Sequence, residues 1–461
     1  MQNANAQRSE FAHSGQWLGA LLACALVAGL WWFKPNWALG PALALLPLLG
    51  VAVCRWPFLV VLGFVLLSFF RLHEAFPWLY PLRLPQALAL ASLFTLFWQW
   101  QLSRRLQPYW RPELTILTLF MVLVALGALL ASNRGLALGY LNGVFIKIWL
   151  MTLAIAWLMQ RQQDFARANW AFVLAGLAVA AVALHNAKLG LELVEGSRVT
   201  IGRSFGSTLG DPNDLALVLL FPLAFALALW RQPDARWLVR VVALLSALAL
   251  VSALLATQSR GGLMGVVAVV LVTAWQRTRR KGLLVAAMLL LAPALFLLAG
   301  ITDRVSGGAA EAGIDESAMG RLYAWQAAWR MAWANPLTGV GLDNFYANYY
   351  FFSDHWDGRN HAVHSTWFGV LAEAGWLGFS VFLALVIRLL RQAKRNVALA
   401  HGQAPVWFAS AGASQAALVG VLVSGTFLTH GFTWPLYILT ALIVAQAQAL
   451  QPLDSQNAND R

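Results

Sequence analysis

The sequence predicts an all-α protein that crosses a membrane many times, and three observations carry that expectation. The chain of 461 residues is 60% hydrophobic and only 11% charged, more apolar surface than a soluble fold of this size can bury. Its apolar residues come in runs close to the ~20 needed to cross a bilayer. Its basic residues gather in short connections between those runs, the asymmetry that orients helices in a membrane. The net charge of +13 is therefore read as membrane orientation and not as a nucleic-acid surface.

Residues 1–16 are polar and expected to form a disordered cytoplasmic N-terminus. Apolar runs follow at 17–33, 37–54, 57–71, 84–102, 113–131, 140–159, 168–186, 213–230, 238–257, 261–276, 282–300, 366–390, 406–424 and 434–450. The first lacks a basic start and a small-residue cleavage site, so it is expected as an uncleaved anchor. Two of the shorter runs could be re-entrant, which gives about 12–14 spans. Arg104 and Arg105, Arg161 with Arg167, Arg231 to Arg240, Arg277 to Lys281, and Arg388 to Arg395 fall on alternate connections. These mark the cytoplasmic side, and both termini with it, including the tail 451–461. Residues 17–300 form the main membrane region and 366–450 the C-terminal helices. Two connections on the opposite side are long, at 187–212 and 301–365. Loops of that length tend to carry function.

The larger loop has helical patterning of its own. Trp325, Trp329 and Trp333 recur every four residues beside Arg321 and Arg330 over 317–334, which predicts an amphipathic helix on the bilayer surface. Asp315 or Ser317 could cap its start, and Asn335-Pro336 ends it. Gly339 to Phe345 is expected as a turn.

Candidate chemistry concentrates on that side. Arg203, Arg260 and Arg321 stand where the positive-inside tendency disfavours them. Guanidinium groups grip phosphate oxygens in pairs, so three of them could hold a diphosphate without a metal ion. The alternative is that each snorkels to lipid headgroups. His364 stands where a polar segment becomes an apolar helix, and an imidazole near its ordinary pKa of about 6.5 suits it to accept a proton from a hydroxyl. His361 is a weaker candidate for the same role. His355, His361 and His364 do not show a recognised zinc spacing. Lys147, Glu373 and His185 lie in or near apolar runs, where ionisable groups are costly and hence candidates for function. Glu373 is expected to pair with an arginine, and Asn213 to cap the helix that follows it.

The segment His364-Ser365, nine residues, Gly375, two residues and Gly378 resembles the histidine motif of the bacterial O-antigen ligases. Arg203 with Gly206 and Pro212-Asn213, then Ser259-Arg260-Gly261, are similar to that family's two arginine segments. Gly320-Arg321 through Trp325 and Asn335 through Gly341 are similar to its large periplasmic loop. The resemblance covers roughly 195–390, and the first half matches only as a hydropathy profile.

The resemblance implies a membrane-embedded glycosyltransferase of the GT-C type in the bacterial inner membrane, usually drawn with twelve spans. Such an enzyme moves a glycan from undecaprenyl diphosphate to a sugar hydroxyl of lipid A–core on the periplasmic face, with neither ATP nor metal. His364 would be the base, and Arg203, Arg260 and Arg321 would bind the diphosphate. O-antigen polymerases and protein O-oligosaccharyltransferases share these features and remain alternatives. A lipid-linked oligosaccharide flippase is a different class, disfavoured because its polar groups would sit near the bilayer midplane within paired repeats.

Overall fold

A computed structural model of the chain describes residues 48–276, 278, 280–299 and 316–459, with a few isolated positions before residue 48. The expected N-terminal segment 1–16, the run 17–33, most of 37–54, and Asp315 with the rest of 301–315 lie outside the described residues. The chain divides into two compact units, Met1–Pro57 and Phe58–Arg461. In the first, Leu48–Arg55 is helical. The second unit is the subject of all that follows.

Its apolar runs fold as helices close to where the sequence places them. In order they are α1 (Pro57–Ser68), α2 (Leu84–Phe97), α3 (Pro112–Leu129), α4 (Arg134–Leu158) and α5 (Gln162–Leu189). Next come α6 (Pro212–Trp230), α7 (Trp237–Ala256), α8 (Arg260–Trp275) and α9 (Lys281–Leu298). The long loop supplies α10 (Glu316–Ala334) and α11 (Phe345–Phe352), and the chain closes with α12 (Thr366–Ala400), α13 (Pro405–Gly425) and α14 (Trp434–Asn459). The starts follow elementary rules. Proline occupies the first turn of α3, α6 and α13, where its missing N–H costs nothing. The side chains of Asn133, Asp211, Ser259 and Ser365 accept first-turn N–H groups.

Eight helices among the described residues are long and apolar enough to cross a membrane, or up to nine if a further bent pair makes one crossing. The protein is thus an all-α, multi-pass membrane protein. The only strands among the described residues are β1 (Leu193–Val194) and β2 (Arg198–Val199), a two-residue antiparallel pair. On α9 only Leu295 is buried, and Leu289, Leu290, Leu297 and Leu298 are exposed, an arrangement that lipid rather than water accommodates. By contrast α6 is enclosed along most of its length, beside a cluster of Phe69, Phe70, Phe172, Phe221 and Phe225.

The loop helix α10 matches the expected 317–334 closely, although Ser317 falls inside it and so is not its cap. Its packing face is not the tryptophan row. Ala324, Ala327, Ala328 and Met331 are buried, while Trp329 and Trp333 stay exposed, the first packing edge-on and the second tilted against Trp376. Small residues win this face because they let backbone approach backbone. Gly339 and Gly375 sit at the closest point. A Cβ on Gly339 would fall 2.3 Å from the Ala372 carbonyl oxygen, and one on Gly375 would fall 2.7 Å from the Pro336 oxygen. In the space this leaves, Val340 N–H donates to the Ala372 carbonyl and Trp376 N–H to that of Pro336, each at 2.8 Å. Gly375 takes φ 67° and ψ −174°, a region essentially closed to other residues, and it breaks α12 into two segments there.

The turn between α10 and α11 is tied down from two sides. Glu373 accepts from the N–H groups of Asp343 and Phe345, at 3.0 and 3.2 Å. This corrects the expectation that Glu373 pairs with an arginine: unfilled backbone donors at the start of α11 occupy both its oxygens. Buried Asn344 accepts from Ser132 Oγ and Asn133 N–H and donates to the carbonyls of Asn133 and Leu342. Gly375→Ala is expected to cost about 1–3 kcal/mol from backbone strain alone. It should lower the thermal midpoint in detergent and speed limited proteolysis within 316–365. A wild-type digestion pattern would contradict this account of the docking.

Candidate functional site

The start of α6, the connection into α8, the start of α10 and the connection 426–433 meet around one crevice. It is lined by Asn213, Ser259, Arg260, Gly261, Arg321, Phe427 and Leu428. Asp211 caps α6, its carboxylate accepting from the N–H of Asn213 at 2.7 Å. This corrects the assignment of Asn213 as the cap. Pro212 fixes the first helical residue, so the residue before it is the cap, and Asn213 lies inside the first turn. Its side chain has another task. Asn213 Oδ1 accepts from Arg198 Nη2 at 2.8 Å and from Ser259 Oγ at 2.9 Å, while Arg198 Nε also donates to the Thr257 carbonyl at 3.2 Å. Ser259 in turn caps α8. Arg260 is therefore the first residue of α8, at the positive end of the helix dipole.

His364 lies nearby, within electrostatic reach of Arg321, Asp211 and Asp214. Its backbone is left-handed, with φ 43°, and both neighbours are anchored. The Val363 carbonyl accepts from Trp325 Nε1 at 3.0 Å, and Ser365 is the buried cap of α12. Trp325 also stacks on Phe368, with ring centres 5.1 Å apart. Arg321 lies one turn before Trp325 on the same face of α10, so the bond that fixes the histidine loop also sets the arginine. Burial and the Arg321 guanidinium push the His364 pKa below its ordinary value of 6.5, against the weaker opposing pull of Asp211 and Asp214. A pKa lowered from 6.5 favours the neutral imidazole at pH 7.

Asp214 leads to a group that sequence reasoning missed. His430 is buried in the turn before α14. Its Nε2 lies 2.9 Å from Asp214 Oδ1 and its Nδ1 2.7 Å from Thr433 Oγ1. Its own N–H donates to Thr366 Oγ1 at 3.1 Å, in the first turn of α12. His430 thus ties α6, α12 and α14 together behind the crevice. Arg198 is a second such residue, since its partners Asn213 and Thr257 are distant in the chain. The turn residues before Trp434-Pro435 and the acidic cap Asp211-Pro212 were the available signals.

The remaining candidates sit elsewhere. Arg203 stands on a short turn, exposed, its N–H donating to Glu192 at 2.8 Å, and lines no part of the crevice. His361 is partly exposed and sits 3.0 Å from Asp357 Oδ1. Arg330 is paired with Asp354 on the exposed side of α10. Lys147 lines a separate cavity. Among the described residues no group of three or more His, Cys, Asp or Glu could hold a metal ion.

The arrangement can do two things chemically. Two fixed cations at a helix N-terminus can bind a phosphate-bearing anion. A neutral imidazole beside them can take up a proton. The O-antigen ligase family model matches residues 244–383, which run from α7 to the first half of α12 and include Arg260, Arg321 and His364. No curated protein matches the chain.

Asn213→Leu removes the acceptor shared by Arg198 and Ser259 at nearly constant volume. With Arg198 buried, the loss should be about 1.5–3 kcal/mol, seen as a lower thermal midpoint, whereas Asn213→Asp should keep most of it. An unchanged midpoint for the leucine variant would show that the clamp contributes nothing.

Proposed function

We propose, from the match of residues 244–383 to the O-antigen ligase family model, that the protein is an inverting glycosyltransferase of the ligase type. It moves a glycan from undecaprenyl diphosphate to a sugar hydroxyl of lipid A–core, at the periplasmic face of the inner membrane. In this reading it uses neither ATP nor a metal ion. The observation that supports it most is the meeting of Arg260 and Arg321 in one crevice, with His364 in the electrostatic field of Arg321.

The step needs one proton acceptor and one stabiliser of the leaving group. The acceptor oxygen attacks C1 of the first sugar from the face opposite the diphosphate, and its proton passes to the neutral His364 imidazole. The bond between C1 and the diphosphate oxygen breaks, and the electron pair leaves with the phosphate. Arg260 and Arg321 stabilise the charge that develops there, aided by the N-terminus of α8. Arg203 can join them only if the 202–211 turn moves inward. The crevice has a volume of about 10 Å³, room for one water and far less than a diphosphate. Binding must therefore part Arg321 from Arg260, which means a shift of α10.

A positioned base is worth about 10²–10⁴ in rate and one preorganised donor a comparable factor. His364→Ala and Arg260→Ala should each fall in that range. Arg260→Lys should recover only part, because a point charge cannot reproduce the paired donors of guanidinium. The pH profile carries a separate signature. His364 acts when neutral, so activity should fall on the acid side through a pKa below 6.5. Arg321→Gln removes a nearby positive charge and should move that limb upward while lowering the rate. An acid limb that does not move would remove Arg321 from the neighbourhood of the base.

The reading is tested by restoring a ligase-deficient strain that supplies matching donor and core. Wild type should restore a long-chain lipopolysaccharide ladder, and stably expressed His364→Ala should not. Unmodified core in both would turn the assignment toward a polymerase or protein glycosylation. A ladder in both would remove His364 as the base.

A further inference from the structure

Outside the crevice, a cavity of about 500 Å³ lies among α1, α2 and α4. Its walls are of two kinds. Phe64, Ala89, Leu90, Leu93, Leu150 and Met151 make an apolar slot, and Arg71, His73 and Lys147 bring three nitrogen bases to it. Leu90 lines the cavity while 70% of it is exposed on the outside of the helices. The slot therefore opens sideways, toward where lipid chains lie.

The charges in the wall do not cancel. The Arg71 guanidinium is held by the Glu74 carboxylate at 2.6 and 2.5 Å, and His73 Nε2 lies 3.5 Å from the same carboxylate. Glu74 also accepts from Ser207 Oγ. One buried carboxylate thus serves two bases and a hydroxyl. Lys147 makes no hydrogen bond or ion pair among the described residues, although it stands inside an apolar helix where an ammonium is costly to keep. An anion in the slot would relieve that cost, and a hydrocarbon chain would cover the apolar wall.

We propose that this cavity binds an amphiphile with a phosphate headgroup, its phosphate on Lys147 beside Arg71 and its chain between α1, α2 and α4. The site is distinct from the crevice, with no lining residue in common. The two are linked through the chain, since Ser207 belongs to the turn that leads to Asp211 and Asn213. Occupancy of the cavity can thereby reach the α6 cap through Glu74. The proposal does not rest on glycosyl transfer.

The test is equilibrium binding of radiolabelled dodecyl phosphate to the full-length protein in a maltoside detergent, which carries no phosphate. Saturable binding is expected. Lys147→Met should weaken it about tenfold or more, the loss of one charge-assisted contact. Lys147→Arg should bind nearly as wild type, which separates lost charge from lost fold. Ala89→Phe, which fills the slot, should weaken binding to a similar degree. Neither inorganic phosphate nor dodecanol should compete at equal concentration, because each supplies half of the recognition. Arg260→Ala should bind normally, so a failure of the transfer reading would leave this result standing. Wild-type binding by Lys147→Met would overturn the proposal. So would displacement by inorganic phosphate, which would mark a free-anion site, or by dodecanol, which would mark a purely apolar slot.

Discussion

The close contact between Gly339 and Gly375 is the constraint on which the rest of the site depends. Neither position has room for a Cβ, and the two backbones exchange hydrogen bonds with the segments flanking them. That contact docks the loop helix α10 on α12. Docking then brings Trp325 to the Val363 carbonyl, which holds His364 in its left-handed conformation, and it places Arg321 one turn away. A strained residue persists only when its surroundings over-determine it. Here the determinants are the Trp325 bond on one side and the Ser365 cap on the other.

The same region balances its charges by assigning each carboxylate a structural partner. Asp211 caps α6 and Asp214 holds His430. Glu373 serves backbone donors near α11. Arg198 is neutralised in part by Glu195 and otherwise bonds to Asn213 and Thr257. The acids closest to the crevice are therefore engaged in building it. Burial and then the Arg321 charge hold the His364 pKa below its ordinary value. A phosphate-bearing substrate and a neutral base are compatible demands in such a place. The crevice's small volume adds a dynamic requirement, since a wall that binds a diphosphate must first open.

Much of the helical architecture was legible because hydrophobic run length and proline placement are local signals. The apolar runs from residue 57 onward map onto helices, and α10 begins and ends close to the expected residues. Arg260 and Arg321 drew notice as cations where the positive-inside tendency disfavours them, and His364 because a polar segment there becomes an apolar helix. What escaped the sequence depended on partners distant in the chain. Nothing local tells that Asn213 bonds Arg198 and Ser259 rather than capping α6, although Pro212 should have pointed to Asp211. Glu373 was given an arginine because burial of a carboxylate suggests a cation, and the backbone donors of a turn 30 residues away satisfy it instead. His430 lay in an unremarked turn, and its role appears only when α6, α12 and α14 meet.

The central claim is that His364 accepts the proton of an attacking hydroxyl while arginines hold the departing diphosphate. Its most direct measurement is release of undecaprenyl diphosphate by purified protein from a lipid-linked glycan, with and without lipid A–core. The account predicts release that requires the acceptor, yields glycosylated core in equal amount, and falls by about 10²–10⁴ in His364→Ala. Release at the wild-type rate by that variant, or movement of donor without its cleavage, would contradict it.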